Sequence, residues 1–307
     1  MNQALQLPAR AKLNLVLRVV GRRADGYHLL ETLFHPLDLH DDVVVAPTST
    51  PGVQLAVTAA SDELRVSAGP DNLVCRALQA LRAAVGYPGG FEVRLHKRIP
   101  AGGGLGGGSS DAAAALRLGN ELLGAPLDPV ALARVAVQLG ADVPFFLRGG
   151  SQWGRGIGDE LTAAKVLPCH FVLVLPPFGC PTVDVYKTFA RLWQHSGGLA
   201  SVPSITVPDT GVSAVRIACH NDLEPAAELV RPQLADLRCQ IVKLGFADVR
   251  MTGSGSTLFL AWPTAAEQLH CRQRLAASLP GDVRLLLTAS GPPGVDSPCP
   301  PERPAER

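Results

Sequence analysis

From Lys12 to Val20 the apolar residues Leu13, Leu15, Leu17 and Val19 share one parity, the period of a β-strand. Ala24-Asp25-Gly26 follows, then a second extended run from His28 to Leu39. Asp-Gly between two such runs signals a hairpin, because glycine accepts the positive φ of a tight turn. Short strands are expected at Val43–Ala46 and Val53–Val57, so the first hundred residues read mostly as sheet. After Asp71-Asn72, the residues Leu73, Ala77, Leu81 and Val85 recur at spacing four, which predicts a helix closing at Gly86. Phe91–Leu95 alternates as a strand and Pro100 stops it. Ser110 to Leu123, rich in Ala and Leu, predicts a helix closing at Gly124. Asp128-Pro129 supplies the N-cap and first turn of another, ending at Gly140.

In the second half the pattern restarts near Ala163–Lys165. Strands are expected at Phe171–Leu175, near Val249, at Leu258–Trp262 and near Val283–Leu287, with a helix over Arg231–Leu244. Residues 190–215 carry no legible pattern. From Gly291 the chain is rich in Pro and charge and reads as a disordered tail. Strands and helices mix without regular βαβ alternation, so the class is α+β. A chain of 307 residues exceeds what one core usually serves. The expected division is an N-terminal domain over 1–162, a C-terminal domain over 163–290 and a tail over 291–307.

Hydrophobic residues make up 47% and charged residues 18%, which fits a soluble globular protein with a filled interior. Lys plus Arg number 28 against 27 for Asp plus Glu, so a nucleic acid held by bulk charge is not expected as a partner. Of the seven cysteines no two have CxxC spacing, and the adjacent pairs Cys169-His170, Cys219-His220 and His270-Cys271 cannot easily converge on one metal. They read as thiols in a reducing compartment. The first residues lack the layout of a signal peptide and no apolar run reaches membrane-spanning length, so the expectation is a cytoplasmic protein without a membrane partner.

The run Gly102 to Gly108 holds six glycines, interrupted only by Leu105, between a strand and a strong helix former. A linker would be followed by polar residues. Gly102, Gly104 and Gly107 satisfy GxGxxG, but Pro100 separates strand from loop and no βαβ unit opens here. Gly103 and Gly108 have Walker A spacing, but Ser109 stands where that loop needs lysine. What remains is a strand, glycine loop and helix arranged for a polyphosphate. Bare backbone allows close approach to N–H groups, and the helix adds free amides and the positive end of its dipole. Ser109 and Ser110 could cap that helix, bind phosphate oxygens, or both.

"PAGGGLGGGSSDAA" resembles the phosphate loop of the GHMP kinases, a family of small-molecule kinases. "ARAKLNLVLRVVGRRADGYHLLETLFHPLDLHD", "GADVPFFLRGG" and "RMTGSGSTLF" are similar to the same family, in the same order, over about residues 7–290. The opening segment is similar to the branch whose acceptor is a cytidine diphosphate-linked methylerythritol, phosphorylated on its 2-hydroxyl for isoprenoid synthesis.

The resemblance implies a two-lobed fold, with an N-terminal mixed sheet with helices and a C-terminal ferredoxin-like α/β sandwich lobe. It implies ATP and Mg²⁺, no protein ligand for the metal being assigned, and a monomer or weak dimer. By residue type alone Asp142 is a helix cap or a base, and Lys12 an ordinary strand lysine. The resemblance makes them a catalytic pair, Asp142 deprotonating the hydroxyl beside the Lys12 ammonium. It assigns Asn72, Leu73, Lys97, Pro100, Ala101, Gly102, Gly103, Gly104, Leu105, Gly106, Gly107, Gly108, Ser109 and Ser110 to ATP. It assigns Asn14, Tyr27, His28, Tyr186, Thr252, Gly253 and Ser254 to the acceptor, Tyr27 and His28 meeting the pyrimidine. Another kinase of the family, a non-catalytic nucleotide-binding regulator and a dinucleotide oxidoreductase are the alternatives.

Overall fold

β1 (Leu5–Arg22) and β2 (His28–Thr48) form one long antiparallel hairpin. The turn is a five-residue loop in which Gly26 takes φ +93°. The extended runs expected at 28–39 and 43–46 are thus a single strand. Register shifts between Arg10 and Lys12, between Asn14 and Val16, and between Val19 and Gly21 let so long a pair bend. β1 is buried on both faces: Leu13, Leu15 and Val19 are enclosed, and Lys12 and Asn14 on the other parity are buried as well. A lysine of opposite parity therefore does not face solvent here.

The computed structural model describes residues 4–195 and 219–301. β3 (Gly52–Ala59) pairs in parallel with β4 (Gly90–Lys97), which pairs antiparallel with β2. β5 (Gln152–Arg155) joins β2 lower down and carries β6 (Glu160–Ala163) on its other edge. β8 (His220–Asn221) adds in parallel to β1, giving a seven-stranded mixed sheet. Against it pack α1 (Leu73–Val85), α2 (Gly107–Leu122), α3 (Pro129–Leu139) and α4 (Val143–Arg148). Small residues make the packing close: Ala112 to Ala115 are buried, and a Cβ on Gly119 would stand 2.7 Å from Leu78 and Leu81 of α1.

The second sheet has four antiparallel strands, β7 (His170–Leu175), β9 (Arg250–Met251), β10 (Leu258–Trp262) and β11 (Arg284–Ala289), in the spatial order β11-β7-β10-β9. α5 (Thr182–His195), α6 (Glu224–Val230) and α7 (Pro232–Lys243) lie between β7 and β9, and α8 (Ala265–Ala276) between β10 and β11. First strand beside third and fourth is the ferredoxin-like arrangement. β8 leaves this half of the chain to pair with β1, and Leu17 and Val19 of β1 sit in one core with Val172, Val174 and Leu223. No described helix is long and apolar enough to cross a membrane.

The tail departs from expectation. Ser290 bridges Leu37, Gly291 N donates to Pro36 O, and Cys299 bridges Gln6 with two backbone hydrogen bonds. Residues 291–301 are held on the first sheet because their backbone groups find partners there, whatever their composition; residues 302–307 lie outside the described residues.

Candidate active site

β4 delivers the chain to the glycine loop and α2 carries it away. The helix begins at Gly107 with Gly106 at its N-cap, earlier than the serines suggest. Ser109 and Ser110 lie inside the first turn, and neither caps it. The amides of Gly107, Gly108 and Ser109 consequently have no acceptor within the helix, the arrangement that suits an anion. The loop's shape is set from two sides. Gly106 at φ +72° sits over the Lys12 stem, where a Cβ would come within 2.9 Å of the Phe146 ring and 3.1 Å of Lys12 Cγ. Gly104 at φ +79° faces the loop Thr252–Ser256, and a Cβ there would stand 2.4 Å from Thr252 O. Leu105 is buried, and its carbonyl accepts a hydrogen bond from Lys12 N at 3.0 Å.

Beneath the loop, Lys12 Nζ donates to Asn14 Oδ1 at 2.5 Å and lies 5.7 Å from the centre of the Phe34 ring. Asn14 is fixed in turn: its Nδ2 donates to Thr32 Oγ1 at 2.8 Å and its backbone N to Thr252 Oγ1 at 2.9 Å. Asp142 occupies the N-cap position of α4, yet its carboxylate accepts no bond from the helix amides. Its Oδ2 instead stands 3.5 Å from Lys12 Nζ, with the side chain one-third exposed to the cleft. Capping is therefore not what this carboxylate does. Burial, and next the Asp142 charge, push the Tyr186 phenol well above its ordinary value, and both side chains line the same cleft.

At the other end of the cleft, His28 lies in an aromatic cluster from α5, 5.2 Å from the Tyr186 ring and 6.2 Å from Trp193. Burial and then the Arg22 charge lower the His28 pKa below its ordinary value, so the imidazole is neutral at pH 7. Its Nε2 is enclosed without a hydrogen-bond partner among the described residues, which favours a ligand that brings one. Tyr27 is 63% exposed at the rim. Asn72 caps α1 by accepting from Val74 N at 2.9 Å and, with Leu73, also lines the cleft.

The cavity measures about 1190 Å³ and runs from the glycine loop past Lys12 and Asp142 to His28 and Tyr186. A single small-molecule pocket is roughly 300–1,000 Å³, so there is room for two ligands end to end. Of the residues expected in the site, three do not line it. Gly103 packs on Thr257, Ser110 is buried on the far side of α2, and Thr252 is buried behind Asn14. Lys97 lines it, but its ammonium is bound to Asp41 and Asp111. Asp41, Asp111 and Asn221 escaped sequence reasoning. Asn221 Nδ2 donates at 2.8 Å to both Met251 O and Gly253 O and so shapes the loop facing Gly104. The two aspartates had a signal, each lying in a segment that carries the family resemblance.

Residues 72–150 match the family model described as the GHMP kinases N terminal domain. The chain is 39% identical over 271 residues to a protein of Pelotomaculum thermopropionicum named 4-diphosphocytidyl-2-C-methyl-D-erythritol kinase, covering 87% of this chain and 92% of that one. It is similar to a solved 4-(cytidine 5'-diphospho)-2C-methyl-D-erythritol kinase, with TM-score 0.74 and 34% identity over 94% of this chain and 100% of that chain. A homoserine kinase from Cytophaga hutchinsonii shares the fold at TM-score 0.70 and 20% identity, covering 97% of this chain and 98% of that one.

Proposed function

The chain belongs to the 4-diphosphocytidyl-2-C-methyl-D-erythritol kinases of the GHMP kinase family, and on that premise we propose how its cleft carries out the transfer. It is an ATP-dependent kinase of the non-mevalonate isoprenoid pathway. The ATP phosphates lie along Gly102 to Gly108 and against the open amides of α2, with the adenine toward Asn72 and Leu73. The cytidine end of the acceptor lies between Tyr27 and Tyr186, its polar edge on His28. That puts the 2-hydroxyl of the methylerythritol at Asp142.

Asp142 accepts the hydroxyl proton as the oxygen attacks the γ-phosphorus. The Lys12 ammonium offsets charge developing on the transferred group. Asn14 holds Lys12 in place and adds a polar wall for the acceptor. The observation that carries the reading is the Lys12–Asp142 pair at 3.5 Å, at the junction of the glycine loop and the aromatic end of one cavity.

Among the described residues no three acidic, His or Cys side chains converge to hold a metal. That donor set fits Mg²⁺ carried in on the ATP phosphates and water, which is how this ion is usually held in kinases. Ser109, at the opening of α2 and on the cleft wall, is a hydroxyl that would lie beside the ion there. When bound, the ion neutralises phosphate charge in the transition state.

The test is ADP release with Mg²⁺-ATP and the cytidylyl acceptor, set against mevalonate, homoserine and no acceptor. Release with the cytidylyl compound alone is expected, and release with mevalonate instead would sink the acceptor assignment. Asp142→Asn should lower turnover by at least about a thousandfold, within the range for losing a general base and its charge, while ATP binding stays within twofold. Near-normal turnover would remove Asp142 from the role.

A further inference from the structure

We propose that Asp296, in the C-terminal tail, is a positioning residue for phosphoryl transfer, tying together the three elements that carry Lys12, the glycine loop and Asp142. The inference rests on the reading of Lys12 and Asp142 as the reacting pair. Asp296 makes a two-pronged ion pair with Arg10, whose Nε and Nη2 donate to Oδ2 and Oδ1 at 2.6 and 2.8 Å. Arg10 lies on β1 two residues before Lys12. The Asp296 carbonyl accepts from Arg117 Nη2 at 2.6 Å, and Arg117 lies on α2, the helix that leaves the glycine loop.

The third tie is to α4, which opens at Asp142 and ends in Gly149-Gly150. Both glycines have positive φ, +65° and +70°, and the tail lies directly on them. A Cβ on Gly149 would come within 2.7 Å of Val295 N, and one on Gly150 within 2.4 Å of Pro293 O. Tail backbone thus occupies the space that side chains would fill at the far end of the base-bearing helix. The segment is fastened on either side of Asp296. Gly291 N donates at 2.8 Å to Pro36 O, and Pro36 is the register partner of Lys12; Cys299 pairs with Gln6 on β1.

β1, α2 and α4 otherwise meet mostly through apolar packing, which resists separation but not sliding. A charge-assisted two-pronged bond has a fixed direction and resists both. An exposed ion pair would be worth little. This one is only 20–24% exposed and joins residues 286 apart in sequence, so its geometry constrains elements that no local contact does. Displacements near 1 Å between reacting groups can lower a transfer rate up to about a hundredfold.

Single-turnover phosphoryl transfer is to be measured on the full chain carrying Asp296→Asn, Arg10→Gln or the charge swap Arg10→Asp with Asp296→Arg. Nucleotide affinity and the unfolding midpoint are read on the same samples. The single variants should transfer on the order of tenfold more slowly, with nucleotide affinity within twofold and the midpoint nearly unmoved. The swap should recover most of the rate. Transfer within twofold of the parent in both single variants overturns the proposal. So does a loss matched by an equal fall in nucleotide affinity and a lowered midpoint, which marks a merely structural role, or a swap no faster than the single variants. Asp142→Asn in the same assay separates the layers: if it transfers normally, the base assignment fails. If it is inactive while the Asp296 variants are normal, only the positioning role fails.

Discussion

The Lys97 ammonium stands behind the glycine loop between two carboxylates, Asp41 from the end of β2's central stretch and Asp111 from the second turn of α2, with Asp111 Oδ2 at 2.7 Å. Burial pulls Lys97 toward neutrality, but the Asp111 and Asp41 charges outweigh it and leave the ammonium above its ordinary value. Burial raises the Asp111 carboxyl against the pull of Lys97, with Asp41 adding to the rise. Asp41 Oδ1 also accepts from Arg98 N at 2.5 Å and Ile99 N at 2.8 Å, so the triad ties the start of the loop to its exit helix. Lys97 is therefore a brace of the loop, its charge already engaged, where the resemblance assigned it to ATP. Lys97→Met leaves two carboxylates buried without a cation and should lower stability by about 3–5 kcal/mol, measured by chemical denaturation. A large loss of ATP affinity at unchanged stability would restore Lys97 as an ATP ligand. Nothing in local sequence shows which charged groups meet inside, because Asp41 and Lys97 are neighbours only through strand pairing.

The elements on either side of the loop were legible where caps and period agreed. Asn72 and Gly86 bound α1, Asp128 and Gly140 bound α3, and of the α1 residues at spacing four Ala77 and Leu81 are buried. The start of α2 was not legible, because glycines have poor helix propensity and the serines look like caps. Packing bears on it: a Cβ on Gly107 would stand 3.0 Å from Ile99 and 3.3 Å from Lys97 Nζ, so any side chain inside the first turn would press on both. Gly104→Ala tests the same logic across the cleft. With φ +79° and Thr252 O 2.4 Å from the added carbon, the loop must move away from Thr252. ATP affinity should fall at least about tenfold, in line with a strained φ costing about 1–3 kcal/mol, as read by nucleotide titration. Undiminished affinity would mean that the loop's shape does not govern phosphate binding. α5 and α8 had signals that the reading passed over. Val185, Phe189 and Trp193 recur at spacing four, and Thr264 accepts from Glu267 N in a capping box before α8. β5 and β6 are four residues each, too short for a period to emerge.

At the scale of the molecule, His35 joins three distant stretches. It is buried on β2, with Nδ1 2.8 Å from Ser151 Oγ and Nε2 2.7 Å from Ser290 Oγ, at the root of the tail. Burial lowers its pKa to about 4. A histidine held neutral in the fold but free to protonate near 6.5 when unfolded adds stability above pH 6.5. That stability is lost as pH falls toward 4, the window in which the unfolded chain binds the extra proton. Between pH 6.5 and 4 the protein should therefore lose up to about 3 kcal/mol more unfolding free energy than His35→Gln does. Parallel pH profiles in the two proteins would show that His35 does not titrate between the states.

The sequence by itself determined the α+β class, the hairpin, the helices with clear caps, the anion loop and the family, because each depends on neighbours in the chain or on a contiguous motif. Only the tertiary structure decided that Lys12 is buried, that Asp142 caps nothing, that Lys97 is engaged by two aspartates, and that residues 291–301 are fastened to the first sheet. Each of these depends on which residues pairing and packing bring together from far along the chain, where burial and charge partners, rather than residue type, set what a side chain does.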